Sequence, residues 1–276
     1  MTGVCVNMKP SSIEDITAIV ALYRPGPMDS IPRFIANKLD ARKVTYKTPM
    51  LEPILKVTYG CIVYQEQVIE IFRSLGGYTM GQADNIRRAI SKKKMKVIDF
   101  VYGDPAQNIP GCIGHGISEA VAQSIYDEIV DFANYAFNKA HAVCYAVVSY
   151  QTAYLKAHYP AEYMAANMSR NLANITEITK LMDECRAMGI QTLGPDVNES
   201  RNKFSVNSHG AIRFGLAAIK GMGTAAAEAL ISEREKNGPY KDIFDVVQRV
   251  NLSACNRKCF ESMALSGGFD SFGIPR

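Results

Sequence analysis

Between Leu216 and Leu230 the chain reads Leu216-x-x-Ile219-Lys220-Gly221-Met222-Gly223-Thr224-Ala225-Ala226-Ala227-x-x-Leu230. Apolar residues three and four apart on either side of Gly221-Met222-Gly223 predict two short helices. So few residues between them leave room only for a tight reversal, so the stretch is expected to fold as a helical hairpin. N–H groups at the start of the second helix, near Thr224–Ala226, have no partner within that helix. They are ready donors to an anion that the two glycines allow to come close. An ordinary helix–turn–helix corner, or a hairpin serving only as scaffold, fits the same pattern.

The rest of the chain is punctuated by the same chemistry. Ser12-x-x-Asp15 predicts a capped helix over 13–23, stopped by Arg24-Pro25-Gly26-Pro27. A weak helix is expected over 28–38, loop over 40–58, and an amphipathic helix over 61–75 closed by Gly76-Gly77. Another is expected over 81–90. The Gly- and Pro-rich residues 102–117 predict a surface loop. Long helices follow from Ser118 to about Tyr135 and over a buried 141–157, then over 161–170 and from Asn174 to Met188. Residues 191–215 alternate in a way that suggests short strands at 191–193, 203–206 and 211–214. Helices return over 216–236, 241–250 and 255–266. The fold class expected is mainly α with a few short strands.

Hydrophobic residues make up 47% of the 276 and charged residues 21%, which excludes a chain disordered throughout. The formal net charge is only +4, but six of the Lys and Arg residues stand within 87–96 without an acid among them. That concentration points to a localised anion site built from Arg87, Arg88, Lys92, Lys93 and Lys94. A solvated helix C-terminus is the alternative. Phe137-Asn138-Lys139-Ala140-His141 sets an amide, an ammonium and an imidazole side by side. It suits contact with substrate or template, or simple capping by Asn138.

Several chemistries are missing from the pattern. No Asp-x-Asp, His-Glu-x-x-His, Gly-x-Ser-x-Gly or Walker-type loop occurs, so no reaction centre or metal site is expected in these residues. The seven cysteines form no Cys-x-x-Cys pair and suit free thiols in a reducing cytosol. The most apolar stretch, Ala142–Tyr150, is too short for a membrane span of roughly 20 residues.

Taken in order, the motifs resemble the alpha subunit of bacterial DNA polymerase III, the C-family replicative polymerase. The resemblance rests on ALYRPGPMDSIPRFI (21–35), TYGCIVYQEQV (58–68), GGYTMGQADNIRRAISKKK (76–94) and the long block FANYAFNKAHAVCYAVVSYQTAYLKAHYPAEYMAA (132–166). MGIQTLGPDVN (188–198), IRFGLAAIKGMG (212–223) and NRKCFESMALSGGFDSFG (256–273) complete it. It extends over essentially the whole chain. Ile90-Ser91, Ala136 and Ala140 depart from the usual family pattern without loss of a charged group.

The resemblance implies polymerase fingers over 1–168 and a tandem helix-hairpin-helix region over 169–276. In it, Arg87 and Arg88 look like the arginines that meet the triphosphate of the incoming dNTP, supported by Lys92, Lys93 and Lys94. Asn138, Lys139 and His141 would face the nucleotide and template. Lys220, Gly221, Met222, Gly223 and Thr224 would touch duplex DNA behind the active site.

The palm, whose aspartates hold Mg2+ in this family, has no counterpart here. The implied segment binds no cofactor of its own and is expected not to extend a primer alone. Implied partners are primer–template DNA and dNTP and, for the whole polymerase, the sliding clamp and clamp loader, in the cytoplasm and with no membrane. The alternative is a stand-alone, non-enzymatic DNA-binding or scaffold protein of the same fold.

Overall fold

The computed structural model describes residues 1–91, 97–133 and 136–273, so Lys92, Lys93 and Lys94 lie outside the described residues. The chain forms two compact units, Met1–Gln151 and Thr152–Arg276. In the first unit the helices are α1 (Thr2–Met8), α2 (Ile13–Leu22), α3 (Ile31–Leu39), the one-turn α4 (Glu52–Leu55), α5 (Gln65–Gly76) and α6 (Met80–Ser91). They continue with α7 (Val97–Tyr102), the short α8 (Gly111–Gly114), α9 (Glu119–Ala133) and α10 (Lys139–His158), whose last residues enter the second unit. That unit holds α11 (Pro160–Arg170), α12 (Ile175–Ala187), α13 (Thr224–Asn237), α14 (Ile243–Arg249) and α15 (Arg257–Ser266). It also holds two-residue strands β1 (Thr192–Leu193), β2 (Ser205–Val206) and β3 (Ile212–Arg213). The sheet order is β1-β3-β2, with β1/β3 parallel and β2/β3 antiparallel.

Helix α2 begins where its Ser-x-x-Asp signal predicts. Ser12 Oγ accepts the Asp15 N–H, and Asp15 Oδ2 accepts the Ser12 N–H in return. Asp15 is fully buried and carries more than the cap. Its Oδ1 accepts the Tyr59 hydroxyl at 2.8 Å, and Lys38 Nζ lies 3.3 Å from Oδ2. Burial alone would raise its pKa. The Ser11 N–H, the Tyr59 hydroxyl and Lys38 outweigh that and hold the carboxyl below its usual range. The same burial and carboxylate push the Tyr59 phenol up to about 12.

Two apolar clusters fill the first unit. Phe72, Phe100, Ile71, Leu75, Ile125 and Ile129 anchor one on α5, α7 and α9, with the Phe72 and Phe100 rings 4.8 Å apart edge to face. Met8, Ile19, Leu22, Phe34, Val63 and Tyr64 anchor the other. Each such side chain withdrawn from water contributes roughly 1.5–3 kcal/mol.

The predicted helix over 61–75 starts late, at Gln65. Cys61–Tyr64 runs extended instead and is buried throughout. Buried Gln67 explains the late start. Its Oε1 accepts the N–H groups of Val63 (2.9 Å) and Tyr64 (3.0 Å), and its amide donates to Thr58 Oγ1 (2.7 Å) and the Ile54 carbonyl.

Residues 40–58, read as loop, hold α4 and three single 3-10 turns; Pro49 opens one of the turns, and Pro53 lies in the first turn of α4. Within the predicted surface loop 102–117, Ile109, Cys112 and Ile117 are buried. Gly103 and Gly111 cross there so closely that a side chain on Gly103 would sit 2.1 Å from the Ile109 carbonyl oxygen. Helix α10 also departs from expectation. Ala142 and Ala146 are its buried residues, while Tyr145, Val148 and Tyr150 are about half exposed. The two buried alanines stand four residues apart and so share one face of the helix.

Candidate nucleotide and nucleic-acid interface

Helix α6 presents Arg87 and Arg88. Both reach back to one carboxylate that the basic run did not reveal: Asp84, three and four residues earlier. Arg87 Nη2 lies 2.9 Å from Asp84 Oδ1, and Arg88 Nη2 2.7 Å from Oδ2. That is the spacing at which helix neighbours face each other. The hydrogen bond from Arg87 is the largest influence holding Asp84 below the usual carboxylate range, with the charge of Arg88 adding to it. The Arg87 guanidinium is mostly covered, whereas that of Arg88 is two-thirds exposed.

Asn138, Lys139 and His141 belong to a second cluster, at the start of α10. Here the chain is clamped to the extended segment before α5. Phe137 pairs with Tyr64, the Gln65 N–H donates to the Phe137 carbonyl at 2.9 Å, and the Gln65 amide donates to the Ala136 carbonyl. Asn138 Oδ1 accepts the His141 N–H at 2.9 Å, the geometry of a helix cap. The Lys139 N–H donates to both carboxylate oxygens of Glu66, and Lys139 Nζ lies 3.0 Å from Glu14 Oε2. The exposed His141 ring stands edge-on to Phe137 (5.4 Å) and Tyr145 (4.9 Å), and the Arg24 guanidinium covers Phe137 at 4.2 Å. The described sequence-predicted residues of this unit therefore gather as two polar clusters, one around Asp84 and one around Glu14 and Glu66.

In the second unit the hairpin forms, with a first arm shorter than expected: a single 3-10 turn, Leu216–Ala218, in place of a helix. The Met222 N–H donates to the Ile219 carbonyl and closes the reversal. Gly221 has φ +91°, a conformation that favours glycine, and its α-carbon abuts α15. Met222 is buried with Leu216, Ile219, Ala226, Ala227 and Leu230, so only its backbone is available to a ligand. Gly223 has an ordinary φ of −86° and is the N-cap of α13, with no side-chain cap. A side chain there would meet nothing within 4 Å. The amides of the first turn of α13 therefore face an open approach, beside exposed Lys220, which has no ion pair among the described residues. Arg234 ties α13 to the turn between β1 and β2, donating to the Val197 (2.7 Å) and Ser200 (2.9 Å) carbonyls.

All seven cysteines are free, and Cys255 and Cys259 pack beneath the hairpin. Among the described residues, no helix is long and apolar enough to cross a membrane. None of their His, Cys, Asp or Glu side chains group in threes suited to a metal ion.

Residues 1–104 match the family described as bacterial DNA polymerase III alpha subunit finger domain, and residues 189–276 match the helix-hairpin-helix motif family. DNA polymerase III subunit alpha of Pasteurella multocida (strain Pm70) is 46% identical over 286 residues, covering 100% of this chain and 24% of the relative. The protein of the same name from Bacillus subtilis (strain 168) is 42% identical over 276 residues, with 100% and 24% covered. That from Chlamydia trachomatis is 42% identical over 272 residues, with 99% and 22% covered. The chain thus spans about a quarter of the length of the curated relatives it matches.

Proposed function

We propose, on the premise that this chain belongs to the bacterial DNA polymerase III alpha family as a finger and helix-hairpin-helix segment, that it holds nucleotide and duplex DNA for a DNA-directed DNA polymerase. Residues 1–168 act as fingers and residues 169–276 grip the duplex backbone. The observation that carries this reading is the hairpin. Uncapped amides of a 14-residue helix open onto solvent at Gly223, beside an unpaired lysine. Amides and ammonium recognise phosphate oxygens without reading bases, as a polymerase that must accept every sequence requires.

In the fingers, Arg87 and Arg88 would exchange Asp84 for the triphosphate of a dNTP, whose oxygens match the guanidinium fork. Asn138 fixes the first turn of α10 so that His141 and the backbone around it present one surface to nucleotide and template. Mg2+ supplies charge neutralisation in phosphoryl transfer when carboxylates are free to hold it. The carboxylates beside these clusters do not fit that task, because Asp84 is engaged by two arginines and Glu14 by Lys139. The residues described therefore bind and position, and the chain alone does not extend a primer. The sliding clamp and clamp loader are partners of the whole polymerase, at the cytoplasmic replisome.

Fluorescence anisotropy of the full chain with labelled primer–template tests the reading. The slope of log affinity against log salt is expected at about −3 to −5, or roughly four to six phosphates neutralised. No binding at low salt overturns the DNA grip. Replacing Arg87 and Arg88 together by alanine is expected to weaken fluorescent dNTP binding far more than duplex binding. Equal losses refute the role assigned to the arginines.

A further inference from the structure

Helix α15 brings a cation to the hairpin that no sequence pattern singled out. A side chain placed on Gly221 would sit 2.8 Å from Ser262 Oγ, 3.4 Å from Lys258 Cε and 3.9 Å from Lys258 Cγ. The methylene stem of Lys258 thus runs along the hairpin glycine, and its ammonium, one bond beyond Cε, stands at the hairpin's edge. Lysine stems commonly lie on other surface while the charged head stays in water. Lys258 is exposed and has no ion pair among the described residues, whereas its neighbour Arg257 is tied to Glu261 at 2.7 Å.

The placement is built in. Asn256 caps α15 by accepting the Cys259 N–H (3.2 Å), Cys259 and Met263 are buried in the same cluster as Met222, and Cys259 Sγ lies 3.8 Å from the Gly221 carbonyl oxygen.

We propose that Lys258 is a DNA-phosphate ligand, which flanks the hairpin on the side opposite in sequence to Lys220. The backbone grip then has three parts: the first amides of α13, the Lys220 ammonium and the Lys258 ammonium. The ligand is a phosphodiester of the duplex backbone, whose oxygens suit the compact point charge of a lysine head. This inference rests on the reading of the hairpin as a duplex contact.

The test uses the full chain and the same labelled primer–template. Lys258→Met keeps the stem and removes the charge, and it is expected to make the salt slope shallower by about 0.9, as one lost phosphate contact does. Lys258→Arg is expected to restore the slope. Lys236→Met, twelve residues along α13 and so about 18 Å from its start, is expected to leave it unchanged. A wild-type slope for Lys258→Met, with Lys220→Met shallower, overturns the assignment of Lys258 and spares the hairpin reading. A wild-type chain that fails to bind at low salt overturns both. Thermal unfolding of Lys258→Met at the wild-type midpoint assigns any change in slope to lost charge.

Discussion

The two hairpin glycines stand 2 residues apart and are expected to respond oppositely to a single methyl group. Gly221 has φ +91°, and a Cβ there would press on Ser262 Oγ at 2.8 Å. A residue other than glycine in such a conformation costs about 1–3 kcal/mol. Ser262 can rotate away, so the contact adds little beyond that strain. Replacing glycine also restricts the unfolded chain, which offsets roughly 0.4–1 kcal/mol. The net expectation for Gly221→Ala is a loss of about 1.5 kcal/mol.

The second unit, Thr152–Arg276, is a domain of intermediate size. Its melting midpoint should therefore fall by about 5–7 °C. Gly223 has φ −86° and open space around it, so Gly223→Ala is expected to lower the midpoint by less than about 2 °C, the cost of a poorer N-cap. Its methyl would instead stand in the approach to the α13 amides and weaken duplex binding. Circular dichroism melting and duplex anisotropy on both variants decide the matter. Equal midpoint shifts for the two, or unchanged duplex binding by Gly223→Ala at low salt, would refute the division into a structural and a contact glycine.

Two further predictions concern the first unit. Asp15 has a lowered folded-state pKa, so its contribution to stability is complete above its unfolded value of about 3.9 and is lost as pH falls through the folded value. Asp15→Asn should lower stability at neutral pH and flatten the fall in melting midpoint on acidification, and an unchanged acid profile would argue against the buried network. Gln67→Ala strips the partner from two buried N–H groups and from the Thr58 hydroxyl, for an expected loss of about 3 kcal/mol in urea unfolding. A loss under about 1 kcal/mol would mean that water replaces the amide.

Legibility in the sequence followed the range of the forces involved. Ser12 and Asp15 announced α2, and Gly221-Met222-Gly223 announced the hairpin, because caps and reversals are decided within a few residues. The late start of α5 was not legible, since Gln67 prevails over the apolar run Cys61–Tyr64 only once Phe137 is brought alongside from more than seventy residues away. Burial of α10 was overestimated because an all-round apolar sequence does not say how many of its faces find a partner. The pairing of Asp84 with both arginines was legible in principle, at spacings of three and four, but the acid stood just outside the basic run. Lys258 was not legible at all, because its meaning depends on which glycine its stem lies against.

The single carboxylate shared by Arg87 and Arg88 has a consequence for how sequence variation at this place is felt. When one arginine is lost, Asp84 still has the other, so neither the acid nor the surviving cation is left uncompensated. Single changes are thereby buffered, and the full effect emerges only in the double variant. Mutational tolerance at either position alone is a poor guide to the importance of the pair, and the two sites are expected to be strongly epistatic.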